Sequence, residues 1–478
     1  MSEKDVQRLF GTDGIRGVAG RYPLVGNTVA IIGASLVTNL TRELGRPPRI
    51  VIGRDTRESG PAIEVALAGG AIAAGAVVQS AGVITTPGVA YVTRSTPFDA
   101  GIVISASHNP YRDNGIKIFS PSGKKLADEL ERKVESDVAS ADQNDSILMS
   151  SARESARLYD QAEPESAYQS NYINYLATEV SHGLRLDGLR IAIDCANGAS
   201  YEIAPLLFKR LGAEVEVLAA SPDGKNINEN CGSLHQDDLR RLVVERGLDL
   251  GISFDGDADR ALFVDARGNQ VDGDATLLIL ADRLKKAGRL NGNLVVATVM
   301  SNIGLELALR EREIELVRAQ VGDRYVLEEL LARNASLGGE QSGHIIFPAI
   351  SLAGDGMITA IEVLRAVQEA DTSLEKLASQ ITRYPQELVN VPVRSKPPFE
   401  SLPEVKAESE RLERDLEGRG RLLLRYSGTE NLARVMIEGE DLVTVKAQAN
   451  RLAELINKAI GEKDGKSTRL VWGGPGEC

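Results

Sequence analysis

The sequence predicts a multidomain α/β protein, and three observations carry that reading. The chain has 478 residues, more than one hydrophobic core serves, so roughly three or four domains are expected. Short apolar runs that end in glycine- and aspartate-bearing turns alternate with stretches of helical periodicity, the pattern of βαβ units and largely parallel sheets. This strand–turn–helix theme occurs three times, with little residue identity between copies, and a shorter unit of strands and one amphipathic helix follows.

The first unit opens on Phe10-Gly11-Thr12-Asp13-Gly14-Ile15-Arg16-Gly17, either a plain turn or an anion-contacting loop with Arg16 at its tip. Val29, Ile32, Leu36, Leu40 and Leu44 then share one helical face. Arg49–Gly53 is a strand that runs into Arg54-Asp55-Thr56-Arg57. Ser59 and Pro61 mark a helix start, a hydroxyl cap and then proline in the first turn. Ala76–Gln79 and Gly101–Ile104 are further strands. The second leads into Ser105-Ala106-Ser107-His108-Asn109-Pro110 and, soon after, Asn114-Gly115-Ile116-Lys117. Residues from about 137 to 166 are polar and lack apolar periodicity, which predicts a solvated excursion.

The second unit holds strands at Arg190–Asp194, Glu214–Val217 and Asp249–Phe254, the last ending in Asp255-Gly256-Asp257-Ala258-Asp259-Arg260. In the third, strands Leu294–Ala297 and Glu315–Arg318 precede the loops 321–325 and 338–344. Pro392–Pro398 has the stiffness of a linker. Strands Arg421–Tyr426 and Ala433–Glu438 follow, then a helix with Val445, Ala449, Leu452, Ile456 and Ala459 on its apolar face. The glycine-rich stretch from 461 on, with Trp472, reads as a poorly ordered tail. The expected domains are 1–160, 166–265, 266–385 and 386–460, with the tail over 461–478.

Composition narrows the function. With 55 basic and 68 acidic residues the net charge is −13, which argues against nucleic acid and acidic membranes as partners. Cys195, Cys231 and Cys478 have no metal-type spacing and suit a reducing compartment. The opening Met-Ser-Glu-Lys-Asp-Val-Gln has no apolar leader core, and no apolar run is long enough for a bilayer, so a cytoplasmic protein is expected.

Four stretches carry chemistry. Asp255, Asp257 and Asp259 stand at alternate positions, and Gly256 permits the curl that brings such carboxylates onto one hard cation. The bland reading is a solvated acidic loop. An EF-hand fails, because the positions that need glycine and glutamate hold Arg260 and Ala266. Few carboxylates with open coordination positions suggest Mg²⁺ shared with a phosphate. Ser107 and His108 are a strand-end turn or a reactive group. Arg425-Tyr426-Ser427-Gly428-Thr429-Glu430-Asn431, with Arg434, is a surface hairpin turn or a phosphate cradle. Glu340-Gln341-Ser342-Gly343-His344 is an ordinary loop or one suited to sugar hydroxyls. His182 and His235 fall in no cluster.

Together these stretches resemble one family, the α-D-phosphohexomutases, and within it the bacterial phosphoglucosamine mutases. The matching segments are Phe10–Gly17, Gly101–Lys117, Asp255–Arg260, Gly339–His344 and Arg425–Glu430, in family order from the first residues to about 460. The resemblance implies three related α/β domains with mixed, largely parallel sheets, plus a smaller C-terminal α+β domain, around a central cleft. It implies a phosphoserine at Ser107, Mg²⁺ on Asp255, Asp257 and Asp259 with the Ser107 phosphate as a further ligand, and Arg260 beside them. Arg16, His108 and Lys117 are implied as acid/base or charge-stabilising groups. Glu340 and Ser342 are implied to bind the sugar, and Arg425, Ser427, Gly428, Thr429 and Arg434 the non-reacting phosphate. Two positions depart from the usual pattern: Ala258 stands where glycine is common and Asn431 where proline is common.

The activity so implied converts glucosamine 6-phosphate to glucosamine 1-phosphate, toward UDP-N-acetylglucosamine and cell-wall precursors, with glucosamine 1,6-bisphosphate as intermediate and activator. A homodimer and an activating kinase are compatible partners. The rivals are glucose or mannose phosphate mutase activity, a Mg²⁺-dependent phosphatase, and a non-catalytic sugar-phosphate sensor.

Overall fold

The computed structural model describes residues 9–11, 13–141, 146–160, 164–427, 430–462 and 468–470. Runs such as Ile50-Val51-Ile52 and Ile102-Val103-Ile104 are apolar at consecutive positions, as strands covered on both faces require, and all of these side chains are fully buried. They belong to a first sheet built from β1 (Phe10–Gly11), β2 (Gly14–Val18), β3 (Arg49–Arg54), β4 (Val77–Val83), β5 (Ala100–Ile104) and β6 (Asp113–Phe119). Its order is β1-β2-β6-β5-β3-β4. β3, β4 and β5 are parallel, and β6 returns antiparallel to β5.

The second sheet holds β7 (Arg190–Asp194), β8 (Glu214–Leu218), β9 (Leu250–Phe254), β10 (Ala261–Asp265) and β11 (Gln270–Val271). The third holds β12 (Leu294–Thr298), β13 (Glu315–Ala319), β14 (Gly338–Gly339) and β15 (Ile345–Ile346). One unit recurs in all three sheets. In β4-β3-β5-β6, β8-β7-β9-β10 and β13-β12-β14-β15, three parallel strands are followed by one that returns as an antiparallel hairpin. The theme seen three times in the sequence is this topology.

The fourth sheet is antiparallel throughout, in the order β17-β18-β16-β19, from β16 (Gln386–Pro392), β17 (Arg421–Tyr426), β18 (Leu432–Glu438) and β19 (Thr468–Leu470). The helix Leu442–Ile460 covers it with Val445, Ala449, Leu452 and Ile456. One apolar core runs through the first three units, from Val103 through Ile193 and Phe254 to Met357. The fourth has its own around Val391, Leu412 and Leu452. Polar contacts tie it to the third: Arg421 donates to the Val299 and Ser301 carbonyls at 2.9 and 3.1 Å. Glu438 accepts from Asn302 Nδ2 at 3.3 Å and from the Ile303 amide at 3.2 Å.

Four local expectations need correction. Phe10–Gly17 is not simply a turn or loop: it holds β1 and most of β2, because Ile15, Arg16 and Gly17 pair with Ile116, Gly115 and Asn114 of β6, about 100 residues downstream. Between 137 and 166 the structure has the end of a helix at Asp128–Ser140 and a further helix at Ser146–Asp160, not a solvated excursion. The second packs on the helix Gly60–Ala73 through small residues: a Cβ on Gly69 would lie 2.5 Å from the Ala152 carbonyl oxygen and 2.9 Å from Ala156 Cβ. Such a close contact is made by alanines rather than by a stripe of large apolar residues, so the helical spacing of Leu148, Ala152, Ala156 and Tyr159 is easily overlooked in a polar stretch. Ser59 does not cap with its hydroxyl; Oγ instead accepts from Asn114 Nδ2 at 2.9 Å. The tail contributes β19, which pairs with β16, while Trp472 lies outside the described residues.

Candidate active site

Each hairpin carries one of the stretches singled out in the sequence. The Ser107 loop joins β5 to β6, Asp255–Arg260 joins β9 to β10, Glu340–His344 joins β14 to β15, and Ser427–Asn431 joins β17 to β18. The repeated topology therefore presents its loop at the same place in each of the first three units.

Ser107 is buried, and its Oγ donates to Asp255 Oδ2 at 2.5 Å and lies 3.2 Å from His108 Nδ1. Its carbonyl oxygen accepts from Arg57 and Asn228, each at 2.9 Å. The serine and aspartate loops abut directly: a Cβ on Gly256 would lie 2.6 Å from the Ser107 carbonyl oxygen. Asp255, Asp257 and Asp259 are buried and each offers an oxygen within 4.8 Å of the others. Ala258 takes φ +55, so the curl is made although the residue carries a Cβ.

The electrostatics of this cluster follow from burial. Burial, then Asp259 and Asp257, push Asp255 well above the carboxylate range. Burial opposes ionisation of Asp259 too, but Lys117, His344 and Arg260 outweigh it and hold that group well below its ordinary value. Asp257 Oδ2 accepts from Thr86 Oγ1 at 2.6 Å and from Lys117 Nζ at 3.0 Å. Asp257 Oδ1 and Asp259 Oδ1 are buried without a hydrogen-bond partner. A dry, oxygen-only donor set with unspent oxygens fits a hard divalent cation.

Lys117 is buried between Asp13, Asp257 and Asp259 at 3.1, 3.0 and 3.4 Å. Burial lowers its proton affinity, but the three carboxylates outweigh burial and keep it an ammonium. Arg16 pairs with Asp13, which also pairs with Lys125. Burial, then the charges of Arg260 and Arg16, push the His108 imidazole down to about 3. The third hairpin docks on the second: Ala261 donates to the Gly343 carbonyl at 3.1 Å, and His344 Nδ1 lies 3.6 Å from Asp259. Glu340 accepts from the Gly322 amide and from Ser342 Oγ, both at 3.1 Å.

The comparisons with known proteins match this arrangement. Models for phosphoglucomutase/phosphomannomutase alpha/beta/alpha domains I, II and III and for the C-terminal domain match residues 7–145, 170–268, 272–384 and 388–455. A phosphoglucosamine mutase of Solibacter usitatus is 49% identical over 460 residues, covering 95% of this chain and 99% of that protein. The chain belongs to the α-D-phosphohexomutase family, on the branch of the bacterial phosphoglucosamine mutases. Solved phosphohexomutases share its fold. A phosphoglucomutase/phosphomannomutase family protein of Burkholderia thailandensis gives a TM-score of 0.74 at 21% identity, covering 96% of this chain and 99% of that one. An Aspergillus fumigatus N-acetylphosphoglucosamine mutase in complex with GlcNAc-6P and magnesium gives 0.63 at 18%, covering 94% and 96%.

In this phosphohexomutase the first three hairpin loops meet around Asp255–Arg260. The fourth is held within its own unit. Lys396 Nζ donates to the Ser427 carbonyl at 2.7 Å, and Arg434 pairs with Glu430 at 3.1 Å. Arg434 Nε is buried without a partner. Arg425 stands opposite Arg434 across β17 and β18, and Gly428 and Thr429 lie outside the described residues. Sequence reasoning gave no role to Arg57, Asn228, Asp13 or Thr86. Asn228 had one usable signal, the run Asn226-Ile227-Asn228-Glu229-Asn230, since asparagine tolerates the left-handed conformation that Asn228 adopts at φ +59.

Proposed function

We propose that this phosphohexomutase interconverts glucosamine 6-phosphate and glucosamine 1-phosphate, with Ser107 as the phosphoryl carrier. Identity of 49% over 95% of the chain to a protein named phosphoglucosamine mutase supports the substrate. One observation carries the chemistry: Ser107 Oγ lies against Asp255, at the edge of a buried cluster of three carboxylates. A bare serine hydroxyl is a poor nucleophile, whereas a phosphoserine there is a donor set beside a cation site. Asp255, Asp257 and Asp259, with the Ser107 phosphate, would hold Mg²⁺, which when bound neutralises charge on the transferring phosphoryl group.

In the first step O1 of glucosamine 6-phosphate bonds to phosphorus as the P–Oγ bond of phospho-Ser107 breaks. The proton of O1 ends on Oγ, and glucosamine 1,6-bisphosphate is formed. The bisphosphate turns over in the cleft. Oγ then bonds to the other phosphorus as the P–O6 bond breaks, its proton passes to O6, and glucosamine 1-phosphate leaves with Ser107 phosphorylated again. His108, neutral and 3.2 Å from Oγ, moves the proton at that oxygen. Lys117, held as an ammonium, supplies positive charge with Arg16 and Arg260. Glu340 and Ser342 orient the sugar hydroxyls. Arg425, Ser427, Gly428, Thr429 and Arg434 hold the non-reacting phosphate, and motion about the contacts of Arg421 with Val299 and Ser301 and of Glu438 with Asn302 and Ile303 closes the fourth unit over the phosphoserine. The bisphosphate, or a kinase, supplies the first phosphate.

The test is kcat/KM with Mg²⁺ on the 6-phosphates of glucosamine, glucose and mannose, with inorganic phosphate measured alongside. The highest value on glucosamine 6-phosphate is expected. A higher value on either hexose, or phosphate release that exceeds sugar 1-phosphate, would assign the site to a rival activity.

A further inference from the structure

Ser107 sits at φ +53, a left-handed conformation that a residue with a Cβ keeps only where its surroundings over-determine it. Arg57 supplies that determination. Its side chain is fully excluded from solvent, and all five of its N–H donors are used. Nε donates to Asp55 Oδ2 at 2.8 Å. Nη1 donates to the carbonyls of Pro110 and Asp113 at 2.5 and 3.0 Å. Nη2 donates to those of Ser107 and Asn109 at 2.9 and 2.8 Å.

The same guanidinium reaches the other end of the serine through a relay. Asp55 Oδ2 accepts from Ser105 Oγ at 2.7 Å, and Ser105 Oγ accepts from the Ser107 amide at 2.9 Å. Asn228, from the second unit, adds a donor 2.9 Å from the Ser107 carbonyl oxygen and 3.2 Å from that of Asn109. These bonds end on the backbone of the loop, so they fix where Oγ points and leave Oγ itself free for chemistry.

We propose that Arg57, acting with Asp55 and Ser105, is a positioning residue for phosphoryl transfer. It clamps the peptide on both sides of Ser107 so that Oγ faces Asp255 whether or not it carries phosphate. This rests on the reading of Ser107 as the carrier. Lysine cannot take over the role, because one compact ammonium with three donors cannot span a carboxylate and four carbonyls as the planar guanidinium does.

The experiment compares full-length wild type, Arg57→Lys, Ser105→Ala and Ser107→Ala, each preincubated with glucosamine 1,6-bisphosphate and Mg²⁺ and assayed on glucosamine 6-phosphate. A loop displaced by about 1 Å costs about 100-fold. Arg57→Lys is therefore expected to lose about that in kcat, with KM within about threefold, the signature of an interaction that acts on the reacting step alone. Ser105→Ala leaves the Arg57–Asp55 pair intact and should lose less, between about threefold and 100-fold, again in kcat alone. An Arg57→Lys kcat within about threefold of wild type, or a loss shared by kcat and KM, overturns the proposal. If Arg57→Lys does not fold by circular dichroism, Ser105→Ala decides by the same criteria. Ser107→Ala separates the two readings. If it retains turnover, the carrier reading fails and this inference falls with it. If it is inactive while the clamp variants match wild type, only the clamp fails.

Discussion

Replacing Gly256 by alanine should uncouple the serine from the aspartate cluster with little damage to the fold. The new Cβ would lie 2.6 Å from the Ser107 carbonyl oxygen, 2.9 Å from Ile227 Cδ1 and 3.0 Å from Asn228 Nδ2. Close carbon–oxygen contacts settle near 3.3 Å, so the Ser107 peptide must retreat by roughly 0.7 Å. Gly256 is not in the left-handed region, so alanine adopts its backbone and the effect comes from the contact. With about 100-fold per ångström of misplacement as the guide, kcat should fall roughly 10- to 100-fold. Overpacking of this kind costs about 1–3 kcal/mol of stability. The assay is initial-rate turnover of glucosamine 6-phosphate at saturating Mg²⁺, with phosphate on Ser107 counted by intact-protein mass spectrometry. A kcat within about threefold of wild type would refute the claim that these loops are set against each other for catalysis.

Other predictions concern buried charge. Lys117→Met removes the ammonium shared by Asp13, Asp257 and Asp259. Breaking such a buried set costs about 3–5 kcal/mol, so the metal-free variant should melt well below wild type. Mg²⁺ should then raise the variant's melting temperature more than it raises wild type's, and equal shifts would contradict the reading of the cluster as a cation site. Burial raises Asp355 to about 6, against hydrogen bonds from Tyr172, Ile358 and Met357. A carboxyl whose pKa is raised on folding stabilises fully below its unfolded pKa, and that stabilisation is lost as pH rises through 6. The stability of wild type relative to Asp355→Asn should therefore grow from pH 7 to pH 4, by up to roughly 3 kcal/mol. Denaturation at several pH values checks this, and a pH-independent difference would refute it.

Much of this architecture was legible in the sequence. Strands buried on both faces leave unmistakable runs such as Ile102-Val103-Ile104, and each stretch singled out for its chemistry lies on a hairpin loop. Less legible was whatever depends on small residues or on distance along the chain. The helix at 146–160 packs through Ala152 and Ala156 against Gly69 and shows no large apolar stripe. β16 was hidden by the proline-rich stretch that starts at its last residue. Ser59 resembled a cap because the sequence does not show that Asn114 would claim its hydroxyl. Arg57 ended a strand-following loop with no sign that four carbonyls, 50 to 56 residues downstream, would converge on it. The charge balance around Lys117 likewise draws on Asp13 from one loop and on Asp257 and Asp259 from another unit.

The most direct test of the central claim follows the phosphoryl group itself. Protein carrying one phosphate, mapped by mass spectrometry to Ser107, is mixed with excess glucosamine 6-phosphate and Mg²⁺ and quenched within a single turnover. The account predicts that Ser107 loses its phosphate as glucosamine 1,6-bisphosphate appears, that the phosphate returns as glucosamine 1-phosphate forms, and that Ser107→Ala does neither. Full turnover by Ser107→Ala, or phosphate that stays on Ser107 while product accumulates, would contradict it.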